Sequence, residues 1–466
     1  MEYFTLLGVV TAIIAVLAWI LFWRQRDPGL LVGITALYYW SLYGAWSVVI
    51  DKTGGFSGQH YHYLERKMFP VQLDGWYLIT LALYAGFIIL IELTLLATLT
   101  PRRLRPAPRL ALRHDAILLL GFAAGIGSYL LMRGKLDAAW AMNTSAYWYT
   151  RSQTDEWSTL PQVLNRVALI PPAIGLATLA AGTRSRYFMN VVRPYTWPGY
   201  IILLGGMAAF TFVLGNKNEV FTALLAGGLT YAGSLRRPGW KKLGLVLGCG
   251  LWFLAAIDFF RATPLSGMQE ALSQRATQPM ETGRFVASSN EAFAAQFSMY
   301  GVLASRTALR FGYSLYSLAC SVIPRVVWRD RPRDIYLYYA ESVGAISNQG
   351  YSLHHATGWY LNFGYAGVAI GGIVLGLVWA GCLNAHRRVR RRSGLLLRLF
   401  SIVAPWILVA GIPPLIRAGP EGYKGLLLEC ILLPVGALAI ACRPSAARKK
   451  KLVWHAESGW RWEGAH

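Results

Sequence analysis

The chain has 466 residues, 55% of them hydrophobic and only 14% charged, with 45 Lys and Arg against 22 Asp and Glu. Soluble domains carry about 25% charged residues, so this balance excludes an ordinary soluble enzyme and indicates a polytopic membrane protein. The net charge of +23 does not call for a nucleic-acid partner, because the cations collect in short clusters between apolar runs, as the positive-inside bias predicts.

Apolar runs of spanning length predict eleven helices, at roughly 3–23, 29–50, 73–99, 115–132, 161–181, 199–215, 219–235, 243–260, 359–383, 395–416 and 424–442. The first run has no basic segment before it and no small-residue cleavage site after it, so it reads as a retained helix. Basic clusters fall at Arg24/Arg26, Arg102–Arg113, Arg184–Arg193, Arg236–Lys242, Arg387–Arg392 and Arg448–Lys451. Placing each of them inside puts the N-terminus outside and the basic tail, 443–466, in the cytoplasm. The expectation is an all-α fold, a single transmembrane domain over 1–466.

The external loops hold the chemistry. His60 and His62 make a His-x-His pair, but no further ligand has metal-site spacing, and zinc wants three or four. The loop around Trp148 and Arg151 is rich in Trp and Tyr, which suits either stacking on sugar faces or an interfacial aromatic belt. The hairpin 199–235 has two short arms, so its tip, Gly215-Asn216-Lys217-Asn218-Glu219, should sit at or just below the external interface. Charge there either lines a cavity or snorkels outward. Five cysteines without CxxC spacing read as small buried hydrophobes.

The longest external loop, 261–358, carries nine arginines and no lysine. Arginine presents a planar fork of donors that grips phosphate at two points, so this loop points to an anionic, phosphorylated ligand. Arg306 and Arg310 share one face if 298–323 is helical. Parity of the crossings makes the apolar patch Tyr313–Ile323 an interfacial or re-entrant helix. Pro324 and Pro332 bracket an element that holds Arg325, Arg329 and Arg331. The stretch Gly350–Gly364 contains Tyr351, His354 and His355 and leads into a glycine-rich span. Histidine titrates near neutrality and suits acid–base work, although buried or interfacial histidines are common.

Four segments resemble the bacterial O-antigen and exopolysaccharide repeat-unit polymerases (Wzy-type): Gly215–Glu219, Asn290-Glu291, Ile323-Pro324-Arg325 with Arg329-Asp330-Arg331-Pro332, and Asn362–Gly367. Lys217 stands where family members often have Arg. The resemblance implies a GT-C-like, all-α membrane glycosyltransferase of the bacterial inner membrane. Its substrates would be two undecaprenyl-diphosphate-linked oligosaccharides, donor and acceptor, with a chain-length regulator and a flippase as further candidate partners. On that reading Arg310, Arg325, Arg329, Arg333 and Lys217 bind diphosphate, and His354, His355 or Glu291 is the base. Trp148, Arg151 and Tyr351 contact glycan. No metal or cofactor is expected, since arginines would stabilise the leaving group electrostatically. The rival readings are an O-antigen ligase and a lipid-linked oligosaccharide flippase. The second is disfavoured by nearly uncharged spans, with Glu92 and Glu429 isolated, and by the lack of an internal repeat.

Overall fold

The computed structural model describes residues 2–52, 72–100, 109–144, 159–185, 187–214, 217–234, 291–323, 327–328, 330–344, 353–388, 394–444, 450–455 and 459–464. Helix α1 (Glu2–Gln25) is followed by α2 (Pro28–Tyr38), which continues through a π-helical turn, Tyr39–Tyr43, into α3 (Gly44–Lys52). Next come α4 (Gly75–Thr98), β1 (Leu110–Arg113), α5 (His114–Ala141), α6 (Thr159–Ala181), β2 (Phe188–Val191), α7 (Thr196–Val213) and α8 (Lys217–Ser234). Three shorter helices follow: α9 (Glu291–Ala304), α10 (Tyr313–Ser321) and α11 (Ile335–Ser342). Then α12 (His355–Arg388), α13 (Leu395–Ile416), a second π-helix at Lys424–Leu432, α14 (Leu433–Ala441) and β3 (Cys442–Pro444) complete the bundle, and β4 (Lys450–His455) and β5 (Gly459–Gly464) end the chain.

Among the described residues eight helical stretches are long and apolar enough to cross a membrane. Two more expected spans are helical too: 28–52 in three consecutive pieces, and α8 with 18 residues. The expected span at 243–260 lies outside the described residues, as do His60 and His62. The outward faces of α1, α5 and α7 expose Val16, Trp19, Leu119, Leu130, Ile201 and Ile202, apolar surface that lipid accommodates and water does not.

Local chemistry starts the helices where the apolar runs begin. The Asp27 carboxylate accepts from the Gly29 N–H at 2.9 Å, with Pro28 as the first helical residue of α2. Asp74 does the same for α4, accepting from the Tyr77 N–H at 2.9 Å. At the centre lies α13, whose residues from Ser401 to Pro413 are buried without interruption. Beside it α4 and α12 approach backbone to backbone. A Cβ on Gly372 would sit 2.9 Å from the Phe87 carbonyl oxygen, and one on Gly376 2.7 Å from Thr94 Cβ. Small residues four apart permit that contact, as is common between membrane helices.

A three-stranded sheet, ordered β2-β1-β3, closes one end of the bundle, β1 running parallel to β2 and antiparallel to β3. It joins the basic connections around Arg113, Arg193 and Arg443 at that same end.

One expectation about the large loop needs correction. Residues 298–323 are not one helix: α9 stops at Ala304, Arg306 takes a positive φ of 47°, and Gly312 (φ 69°) precedes α10. Arg306 and Arg310 therefore do not share a helix face. The apolar patch forms a helix of only nine residues, about 14 Å long and too short to span. Its polarity is inverted for a soluble protein, with Ser314, Ser317 and Ser321 buried while Leu315 and Tyr316 face outward.

The α4–α12 seam yields a stability prediction. Gly376→Ala should cost about 1–3 kcal/mol through overpacking against Thr94. Gly381→Ala, with nothing within 4 Å of its added Cβ, should be neutral or slightly stabilising. Thermal unfolding of the detergent-purified variants checks both.

Candidate functional site

At the end of the bundle away from the sheet, residues from distant segments converge on the start of α12. His354 caps that helix: its Nδ1 accepts from the Ala356 N–H at 3.1 Å. An acceptor Nδ1 leaves the proton on Nε2, which donates to Ser41 Oγ at 2.9 Å in the first π-turn. The His354 N–H donates to Ser298 Oγ on α9 at 3.0 Å, and the Tyr84 ring lies 4.2 Å from the imidazole centroid. His355 takes the other tautomer. Its Nδ1 meets the Ala418 carbonyl at 2.9 Å and must carry the proton, while Nε2 accepts from Trp359 Nε1–H at 3.1 Å. Both rings are fully buried, and burial pushes the His354 pKa well below the ordinary imidazole value.

Eight residues on, α12 breaks. Phe363 (φ −141°, ψ 19°) and Gly364 (φ 61°, ψ −144°) leave helical geometry. The chain reverses so sharply that the Trp359 carbonyl lies against Gly367, although residues eight apart in a straight helix are about 12 Å apart. Glycine is required at 364 by the positive φ and at 367 by the contact. The break frees groups that dock the external loop. The Leu361 carbonyl accepts from the Arg310 N–H at 2.7 Å. Asn362 Oδ1 accepts from the Ser314 N–H at 2.9 Å, and its Nδ2 donates to Ser314 Oγ and the Gly358 carbonyl at 2.7 Å each. Since Gly312 offers α10 no side-chain cap, Asn362 supplies one from another helix.

A third anchor is Glu421, in the short connection from α13 to the second π-helix. Its Oε1 accepts from the Ile335 N–H at 3.1 Å and so caps α11, while Oε2 is buried without a hydrogen-bond partner. Burial, helped by the nearby charge of Asp334, raises this carboxyl to about 7.

The same connection leads into a charged cluster. Arg166 Nη1 on α6 donates to Glu429 Oε2, and Lys424 Nζ lies 3.5 Å from Glu429 Oε1. Lys424 and Glu429 are five residues apart, which on an α-helix would place them about 140° around the axis. The π-helix over Lys424–Leu432 bonds i to i+5 and stacks them, so the local distortion makes the pair possible. Glu219, buried in the first turn of α8, is within electrostatic reach of both Arg166 and Glu429. Arg417 Nη1 reaches Asn218 Oδ1 at 3.4 Å, and its guanidinium sits 5.4 Å from the Trp40 ring centroid. Two cations, Arg166 and Lys424, thus meet Glu429, with Glu219 in electrostatic reach of Arg166 and with Arg417 joined to the neighbouring Asn218. Among the described residues no three His, Cys, Asp or Glu side chains converge as metal ligands.

The expected site residues are placed unequally. His354 and His355 lie side by side at the hub, each with its acceptor nitrogen occupied. Glu291 opens α9, two turns before Ser298, and Lys217 opens α8, two residues before Glu219. Arg310 is exposed on the docked loop, its guanidinium 4.2 Å from the Tyr338 ring centroid. Arg333 is exposed as well, and its carbonyl accepts from Ser317 Oγ at 3.3 Å. Arg331, by contrast, is structural: Nη1 donates to the Ser321 and Ile323 carbonyls at the end of α10. Arg325, Arg329, Trp148, Arg151 and Tyr351 lie outside the described residues.

Sequence reasoning missed Arg166, Arg417, Glu421 and Lys424, and it took Glu429 as isolated when it is paired. The signals were present. Arg166 is a cation inside an apolar span, which marks function or a partner by default. Arg417-Ala418-Gly419-Pro420-Glu421-Gly422-Tyr423-Lys424 concentrates charge in one tight connection.

Glu421 carries a pH prediction. Its pKa in the docked loop, about 7, exceeds the ordinary 4.5, so the docked state favours the neutral acid. Docking is therefore strongest below 4.5 and weakens as pH rises toward 7, by on the order of 3 kcal/mol in all. After correction for intrinsic rates, amide exchange over 313–321 and 335–342 should accelerate between about pH 5 and 8. Glu421→Gln should flatten that response; an unaltered response in the variant contradicts the assignment.

No family model, no curated protein and no solved structure matches this chain. What it does must be argued from its residues and their geometry.

Proposed function

We propose that this protein is a glycosyltransferase of the bacterial cytoplasmic (inner) membrane that joins undecaprenyl-diphosphate-linked oligosaccharide repeat units into O-antigen or exopolysaccharide at the periplasmic face. The observation that carries the reading is the cation-rich cluster of Arg166, Arg417 and Lys424, beside the docked arginine loop and at the opposite end from the basic sheet. If the basic end is cytoplasmic, as positive-inside bias favours, the cluster faces outward. Outside the cytoplasm a glycan acceptor has no nucleotide sugar to draw on. A lipid diphosphate supplies the leaving group instead, and fixed cations stabilise the charge it develops.

In the reaction the bond from the donor's anomeric carbon to the diphosphate oxygen breaks, and its electron pair leaves with the diphosphate. An acceptor hydroxyl oxygen bonds to that carbon, and its proton passes to a base. Of the bases considered, the two histidines have their acceptor nitrogens engaged and Glu291 stays in contention, while Glu219 joins it as a buried carboxyl at the cluster. Arg166, Arg417 and Lys424 would take the diphosphate, with Arg310 and Arg333 exposed on the loop to meet it from the outer side. Lys217 starts the helix that carries Glu219. The polyprenyl tails would lie along the apolar outer faces of the helices.

Purified protein in proteoliposomes, given lipid-linked repeat units from cells that make it, should build a ladder of polymers. Arg417→Lys should lower the rate by about tenfold, because a point charge replaces a two-point grip, while Arg24→Lys at the basic end should not. No ladder, or a ladder insensitive to Arg417, contradicts the proposal. Unlinked polymer accumulating in a deletion strain would favour a ligase.

A further inference from the structure

The basic tail is not without structure. After β3 the chain forms an antiparallel hairpin, with Leu452 opposite Trp462, Trp454 opposite Trp460, and Lys450 opposite Gly464. Directly opposed residues share a face, and faces alternate along a strand. Leu452, Trp454, Trp460 and Trp462 therefore fall on one face, with Lys450 at its end, and Val453, Arg461, Lys451 and Glu463 on the other. An isolated two-stranded hairpin is marginal in water, so a face carrying three tryptophans calls for a covering surface.

Three observations say what covers it. Residues 443–466 hold six Lys and Arg (Arg443, Arg448, Lys449, Lys450, Lys451, Arg461) against Glu457 and Glu463, so the complementary surface is anionic. Only residues 445–449 separate β3 from the hairpin, a reach of about 20 Å at most. β3 itself follows directly on membrane helix α14 and pairs with β1 at the basic end. The hairpin is thus held within headgroup distance of one leaflet. Tryptophan, moreover, partitions to the membrane interface, with its ring among acyl chains and its N–H in the headgroups.

We propose that the hairpin 450–464 docks on anionic phospholipid headgroups of the leaflet at the basic end, with the Leu452/Trp454/Trp460/Trp462 face in the interface. Lysines and arginines supply the attraction and the aromatic face the depth, the two-signal arrangement of reversible membrane anchors.

Hydrogen exchange of the full-length protein in nanodiscs tests this, comparing phosphatidylcholine alone with an equimolar mixture of phosphatidylcholine and phosphatidylglycerol. Amides of 450–464 should exchange roughly tenfold or more slowly in the anionic discs, the effect of one or two basic contacts, and high salt should remove the difference. Lys449→Gln/Lys450→Gln/Lys451→Gln, which keeps Leu452 and the three tryptophans, should abolish the lipid dependence. Trp454→Ser/Trp460→Ser/Trp462→Ser should abolish protection in both lipids. Equal protection in the two lipids overturns the proposal in favour of a protein surface, either the bundle or a second copy. Absence of protection in both overturns it outright.

Discussion

An ionised arginine inside an apolar helix bundle persists only if a carboxylate meets it there, and the Arg166–Glu429 contact is that meeting. Removing either partner would strand a buried charge, at a cost of about 3–5 kcal/mol. The pair fixes α6 against the second π-helix. The π-helix in turn exists where Lys424 must reach the same carboxylate, and it leaves the preceding connection to wrap the start of α12. Glu421, the Ala418 carbonyl and Arg417 all project from that connection, so the placing of the polar residues follows from one ion pair.

The second constraint is the reversal at Phe363–Gly364. A continuous α12 would have satisfied its own carbonyls and offered the loop nothing to hold. Broken there, it presents the Leu361 carbonyl and the Asn362 amide, and 305–321 docks onto them. The loop carrying the exposed arginines is therefore attached to the bundle by directional hydrogen bonds, one titratable cap and a small apolar cluster of Val302, Ile335, Tyr339, Leu353 and Leu361.

The spans were legible in the sequence because a bilayer imposes a length and an apolar composition that local reading detects. The basic clusters were legible too, and the sheet gathers three of them at one end. The charged cluster was harder to read, since Arg166, Glu219, Arg417 and Glu429 come from three separate segments and no period links them. Helix continuity failed as a guide at 305–312, where the left-handed residues Arg306 and Gly312 interrupt an otherwise helix-compatible run. The two histidines stood as base candidates because a sequence does not reveal that Ser41, Ser298, Ala418 and Trp359 occupy their nitrogens and backbone. The paired Lys424 and Glu429 would be recognised only by someone expecting i,i+5 geometry.

In the proposed reaction the cluster at the end opposite the sheet holds a polyprenyl diphosphate. Native mass spectrometry of the purified protein with undecaprenyl diphosphate, against undecaprenyl monophosphate, measures this directly. Preferential retention of the diphosphate is expected, weakened about tenfold by Arg417→Ala and untouched by Arg113→Ala at the basic end. Equal retention of both lipids, or loss caused equally by variants at either end, would contradict it.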